Sequence, residues 1–143
     1  VPWLWLVRRS YLDDIILRFY PGIIHEDELF SVLLFVQSKC IGCLKRNLVQ
    51  HRVRSNSTMT KKYSLRNVSC YLTVVDELFV YVRQHLDVLP LIKKYVSYTL
   101  SAVFQTAHVL SCADKFRVYG RCLKSGYLKY ISVRVLVGFW LKK

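Results

Sequence analysis

Apolar and polar positions change their period several times along the chain, and each change predicts an element. Leu12–Tyr20 (LDDIILRFY) ends in a short apolar, β-capable run that Pro21-Gly22 breaks. His25-Glu26-Asp27-Glu28 then leads into LFSVLLFVQSK. The acids at its start and Lys39 at its end complement a helix dipole. Leu29, Val32, Leu33 and Val36 fall at i, i+3, i+4 and i+7, one buried stripe, which Phe30, Leu34 and Phe35 widen. Residues 44–66 lose the periodicity around Ser55-Asn56-Ser57-Thr58 and read as a basic loop or extension, ordered when bound.

Residues 67–75 (NVSCYLTVV) are β-branched and strand-like, although a helix running through Arg83 is also compatible. Asp87, near a cap position, and Pro90, in the first turn, open a long helix over 89–112. Its inner face carries Ile92, Tyr95, Val96, Val103, Ala107 and Leu110. Phe116, Val118, Gly120 and Cys122 then alternate with Arg117, Tyr119 and Arg121. Lys124-Ser125-Gly126 signals a turn, and Ile131, Val133, Val135 and Val137 alternate again. The expectation is a β-hairpin with one apolar face and one cationic, aromatic face. The class predicted is α+β, a helix packed on a small antiparallel sheet. The parts are an N-terminal unit over 1–43, a basic loop over 44–66 and a C-terminal α+β part over 67–143.

Charge sharpens this picture. The chain of 143 residues carries 22 Lys and Arg against 9 Asp and Glu, a net +13. The excess lies in two blocks, 39–70 and 115–143, each with eight cations and no acid. A solvated surface normally mixes both signs, so these blocks predict phosphate contact. The candidate RNA-binding residues of the first block are Lys39, Lys45, Arg46, Arg52, Arg54, Lys61, Lys62 and Arg66. Those of the second are Lys115, Arg117, Tyr119, Arg121, Lys124, Lys129, Arg134, Lys142 and Lys143. On a strand, Lys115, Arg117, Tyr119 and Arg121 would share one face, guanidinium groups gripping phosphate while the ring stacks on a base.

Composition sets the remaining limits. More than half of the residues are apolar, which excludes disorder by composition. No nucleotide loop and no Ser/His/Asp grouping stands out, so binding is expected rather than turnover. Five cysteines, an odd number, argue against a fully paired extracellular framework and favour a reducing compartment. Cys40 and Cys43 have zinc-ligand spacing, but only an arbitrary choice of His51 and Cys70 would complete four ligands. Free thiols are expected, with no metal, cofactor or small-molecule substrate. The opening VPWLWLVRR places its charges after the apolar run, unlike a secretory signal. Only three Ala and five Gly point to a skewed, organellar genome. Tyr95–Ala113 has 19 residues without a formal charge, long enough to span a bilayer. Its Ser, Thr, Gln and His positions favour a packed helix instead. The rival reading is a basic hydrophobic subunit of an organellar membrane complex.

Two segments resemble the KH-domain protein of the small ribosomal subunit head, the S-three family. In Ile15–Val36, Pro21-Gly22-Ile23-Ile24 resembles the family's turn between a strand and a helix. In Leu91–Val137, a helix leads into KFRVYGRCLKSGYLKYISV, where Gly120-Arg121 resembles the family's Gly-Arg pair before a basic hairpin. The family's Gly-x-x-Gly loop is absent, and His25-Glu26-Asp27-Glu28 stands after Ile24. The basic residues that open the family's C-terminal helix are reduced to Lys93 and Lys94. The resemblance implies a degenerate KH-like αβ unit in a reduced mitochondrial member, located on the ribosome in the matrix. Its implied partners are rRNA, neighbouring small-subunit proteins and mRNA where it enters the subunit.

Overall fold

The computed structural model describes residues 4–50 and 63–141. Among them every regular element is helical and there is no strand. The expected antiparallel sheet and KH-like αβ unit are therefore overturned. Six α-helices follow in order: α1 (Arg9–Asp14), α2 (Glu26–Gln37), α3 (Leu65–Val82), α4 (Leu89–Thr106), α5 (Cys112–Lys124) and α6 (Val133–Leu141). Short 3₁₀ turns lie at Leu86–Val88, Ala107–Val109 and Tyr127–Tyr130.

The chain divides into two compact units. The first uses residues 4–22 and 26–50 of the described chain. Leu17, Phe30 and Leu34 form its core, with Trp5, Val7, Tyr11, Leu12, Ile15 and Leu33 packed around them. The Tyr11 hydroxyl donates to the Leu34 carbonyl at 3.0 Å and ties α1 to α2. Phe19 stacks on Phe30 at 4.2 Å between centroids, and Trp5 meets Phe35 edge-on at 5.0 Å. The β-capable run Ile15–Tyr20 is irregular, not a strand: Leu17 turns inward while Ile16 and Phe19 stay exposed. Gly22, with φ +83°, makes the turn that Pro21-Gly22 predicts.

The second unit uses residues 23–25 and 63–141 and holds the larger core. In α3, Val68, Leu72, Val75, Leu78 and Val82 recur at helical spacing and are buried, so the strand expected over 67–75 is the start of an 18-residue helix. Its β-branched residues favour strands only weakly, and packing overrides that preference. The backbone N–H and hydroxyl of Ser64 both donate to Asn67 Oδ1, fixing the helix start. α4 begins with Pro90 in its first turn and buries Ile92, Val96, Leu100, Val103 and Phe104. It packs on α3 and α6, while α5 packs on α3. The helix expected over 89–112 thus ends at Thr106 and tightens into the 3₁₀ turn. Among the described residues no helix is long and apolar enough to cross a membrane, and Tyr95–Ala113 is divided among α4, the 3₁₀ turn Ala107–Val109 and the start of α5.

The expected C-terminal hairpin is also corrected. Ser111 caps α5 by accepting from the Asp114 N–H at 3.2 Å, and its hydroxyl donates to the Asp114 carboxylate at 2.8 Å. The buried positions are Lys115, Val118 and Cys122, at i, i+3 and i+7, not the alternating set. Gly126, with φ +68°, releases the chain into the turn Tyr127–Tyr130. α6 starts where the Val135 N–H donates to Ser132 Oγ at 3.4 Å, and it buries Phe139 against Phe104.

Candidate nucleic-acid interface

Helical geometry separates the cations that a strand would have grouped. On α5, Lys115 is buried, and its ammonium lies 5.6 Å from the centroid of Phe139. Arg117 stays outside and pairs with Asp114 at 3.2 Å. Tyr119 meets Trp140 edge-on at 5.9 Å. Arg121 turns toward α3, where it pairs with Asp76 at 2.7 Å and reaches the Ser69 carbonyl at 3.5 Å. The block is free of acid in sequence but not in space. Lys115 and Arg121, two of its expected phosphate grips, are committed to the fold.

Asp76 organises this junction, because the Tyr127 hydroxyl also donates to it. Burial and that hydrogen bond push the Tyr127 phenol well above its ordinary range. The neighbouring Cys122 thiol is pushed up to about 12, by burial foremost, with Arg121 lowering it and Asp76 raising it. Phe79 stacks on both Tyr127 and Tyr130 at 5.7 Å, which carries the 3₁₀ turn onto α3.

The same turn assembles cations and aromatics beside α4. Ser97 Oγ donates to the Tyr130 carbonyl at 2.7 Å, so the turn lies against α4 at that residue. Lys93 and Lys94, both exposed, sit about one turn earlier on either side of Ser97. Tyr98, 77% exposed, follows Lys94 at i+4 on the solvent face. Lys129 is exposed, with its ammonium 5.2 Å from the Tyr130 centroid. Lys93, Lys94 and Tyr98 thus stand on α4, which carries no acid of its own, beside the turn that carries Lys129 and Tyr130; Asp87 lies before α4 in the turn Leu86–Val88, and Asp76 of α3 accepts from Tyr127 of the Lys129 turn. Lys93, Lys94 and Tyr98 lie outside the acid-free blocks. The Lys94–Tyr98 helical spacing was the signal for them in the sequence.

The remaining candidates are dispersed. Lys124 and Arg134 are exposed on α5 and α6, and Arg66 is exposed in the first turn of α3. Lys39 lines an open groove of about 740 Å³ in the first unit, with Arg8, Tyr11 and Cys40. Lys45 and Arg46 are exposed in the irregular stretch that follows. Arg52, Arg54, Lys61, Lys62, Lys142 and Lys143 lie outside the described residues. Cys40 and Cys43 are exposed thiols. Among the described residues no three His, Cys, Asp or Glu side chains are grouped to hold a metal ion. No family model, curated protein or solved structure matches the chain.

Proposed function

We propose that the chain is a non-enzymatic, RNA-contacting structural protein of a ribonucleoprotein, with the small subunit of a mitochondrial ribosome as the particle it serves. The observation that carries this reading is the placement of exposed Lys93, Lys94 and Tyr98 on α4 around Ser97, whose hydroxyl holds the turn carrying Lys129 and Tyr130. Ammonium groups neutralise phosphates, and an exposed ring offers a stacking face to an unpaired base. In the described part of the second unit, ten cations stand against four acids, two of which, Asp76 and Asp114, are held by Arg121 and Arg117. The field over this unit therefore favours a polyanion. The strand and hairpin implied by the ribosomal-family resemblance do not support the reading, since those segments are irregular or helical. The charge and the aromatic placement support it.

Binding of single-stranded RNA is expected to weaken steeply with salt. Each neutralised phosphate contributes about −0.7 to the slope of log affinity on log salt. Lys93→Glu/Lys94→Glu/Lys129→Glu is expected to lower affinity at least tenfold and to flatten that slope by about 2. Fluorescence anisotropy checks both, and a slope near zero for the native chain would remove the reading. Sedimentation of the tagged protein on a gradient tests the particle.

A further inference from the structure

We propose that the outer face of α5 and α6 is a peripheral attachment surface for an anionic lipid bilayer. The proposal does not depend on RNA binding, and its apolar residues are separate from the Lys93, Lys94 and Lys129 surface, although its rim shares Arg117, Lys124 and Arg134 with the cations of this unit. On α6, Val133, Arg134, Val137 and Leu141 fall within about 100° of one another around the helix axis, and all four are exposed. Val133 and Leu141 are each 75% exposed and Val137 is 48% exposed. Phe139 points the opposite way, into the core. Trp140 borders this stripe and meets Phe116 of α5 at 4.9 Å, so the apolar face continues onto the next helix. Phe116 is 66% exposed, and Leu123 lies two turns further along the same face, also exposed. A contiguous apolar face of this kind is uncommon on a free surface and marks a contact.

Charge at the rim identifies the occupant. Arg117 and Lys124 bound the apolar strip on α5, and Arg134 bounds it on α6. Lys142-Lys143 follow Leu141 in the sequence. Asp114 is the one acid within either helix, and it is held by Arg117. A second copy of this chain would bring its own +13 against this rim and is disfavoured by like-charge repulsion. RNA offers no aliphatic surface to match Val133, Val137 and Leu141. Aliphatic and aromatic side chains projecting from a helix surface, with Trp at their border and cations around them, fit the interface of an anionic bilayer.

Flotation with vesicles of 70% phosphatidylcholine and 30% phosphatidylglycerol, against pure phosphatidylcholine, tests this with the full chain in the absence of RNA. At least fivefold more protein is expected on the anionic vesicles. In a Trp3→Phe/Trp5→Phe background, Trp140 emission is expected to shift to the blue on binding. Val137→Asp/Leu141→Asp is expected to abolish flotation while helicity stays unchanged and RNA affinity falls far less than in Lys93→Glu/Lys94→Glu/Lys129→Glu. Three results overturn the proposal. The first is equal flotation on neutral and anionic vesicles. The second is loss of flotation in Lys93→Glu/Lys94→Glu/Lys129→Glu but not in Val137→Asp/Leu141→Asp. The third is no flotation at all, whether the Val137 variant then disrupts a dimer or releases the chain from a protein neighbour in its particle.

Discussion

The two units draw on similarly apolar sequence but use it differently. In the second, α3 and α4 alone bury Val68, Leu72, Val74, Val75, Leu78, Ile92, Val96, Leu100 and Phe104 completely. In the first, the buried set is Leu17, Leu29, Phe30 and Leu34, while Leu4, Leu6, Ile16, Ile41, Leu44 and Leu48 are exposed. The contrast follows from length. Two 18-residue helices present several turns of apolar stripe to each other, whereas the 6-residue α1 covers little more than one turn of α2. Apolar content alone therefore does not make a core. It does so where helices are long enough to face each other, and elsewhere it leaves side chains available for contact.

Truncation in the two cores should separate them most sharply. Phe104 is fully buried and packs on Phe139 at 4.8 Å. Phe104→Ala is expected to cost about 3–5 kcal/mol, and Leu34→Ala about 2 kcal/mol because its shallow surroundings can collapse. Urea unfolding followed by circular dichroism checks the order. An equal loss in both would mean that the first core is as deep as the second.

What the sequence made legible follows the same division. The helix over Glu26–Gln37, the start of α4 at Pro90 and the turn at Gly22 were readable, because spacing and backbone chemistry agree there. The inner face of α2 was not: of the expected stripe Leu29, Val32, Leu33 and Val36 only Leu29 is buried, and Phe30 and Leu34 fill the core instead. The C-terminal segment misled. Phe116, Val118, Gly120 and Cys122 alternate by coincidence, and the true inner face includes Lys115, a residue type normally read as exposed. Ser111-Cys112-Ala113-Asp114 carried the correcting signal, a Ser followed three residues later by an acid at a helix start. The match of Arg121 to Asp76, 45 positions apart, was not readable, because it exists only once α5 packs on α3.

That junction offers the next largest effect. Asp76→Ala strands the Arg121 guanidinium and the Tyr127 hydroxyl, both half-committed to the interior, and is expected to cost about 1–2 kcal/mol. The junction also sets an alkaline limit. A thiol raised from 9.0 to about 12 contributes stability that is complete below pH 9 and lost as pH climbs through about 12. The Tyr127 phenol, also raised, acts in the same direction. The melting temperature should therefore be level from pH 6 to about pH 8.5 and fall above pH 9. Asp76→Asn removes the charge that helps raise both groups, so its alkaline decline should be shallower than that of the native chain. A decline of unchanged steepness would show that burial alone sets both groups.

The smallest effect runs the other way and lies in the first unit. Ile16 has φ +51°, a left-handed conformation that crowds a β-branched Cβ. Its N–H donates to the Asp13 carbonyl at 3.2 Å and so closes the end of α1, while its side chain is exposed. Ile16→Gly keeps that hydrogen bond and removes the crowding, worth roughly 1–2 kcal/mol. It also frees the unfolded chain, a cost of about 0.5–1 kcal/mol. The balance is a stabilisation of about 0.5–1 kcal/mol confined to the first unit. Slower amide exchange in α1 and α2, with α3 to α6 unchanged, is the expected record. Faster exchange would show that the Ile16 side chain holds a contact worth more than its strain. The first unit's exposed apolar residues would then be structural parts of its core, and the contrast with the second unit would narrow.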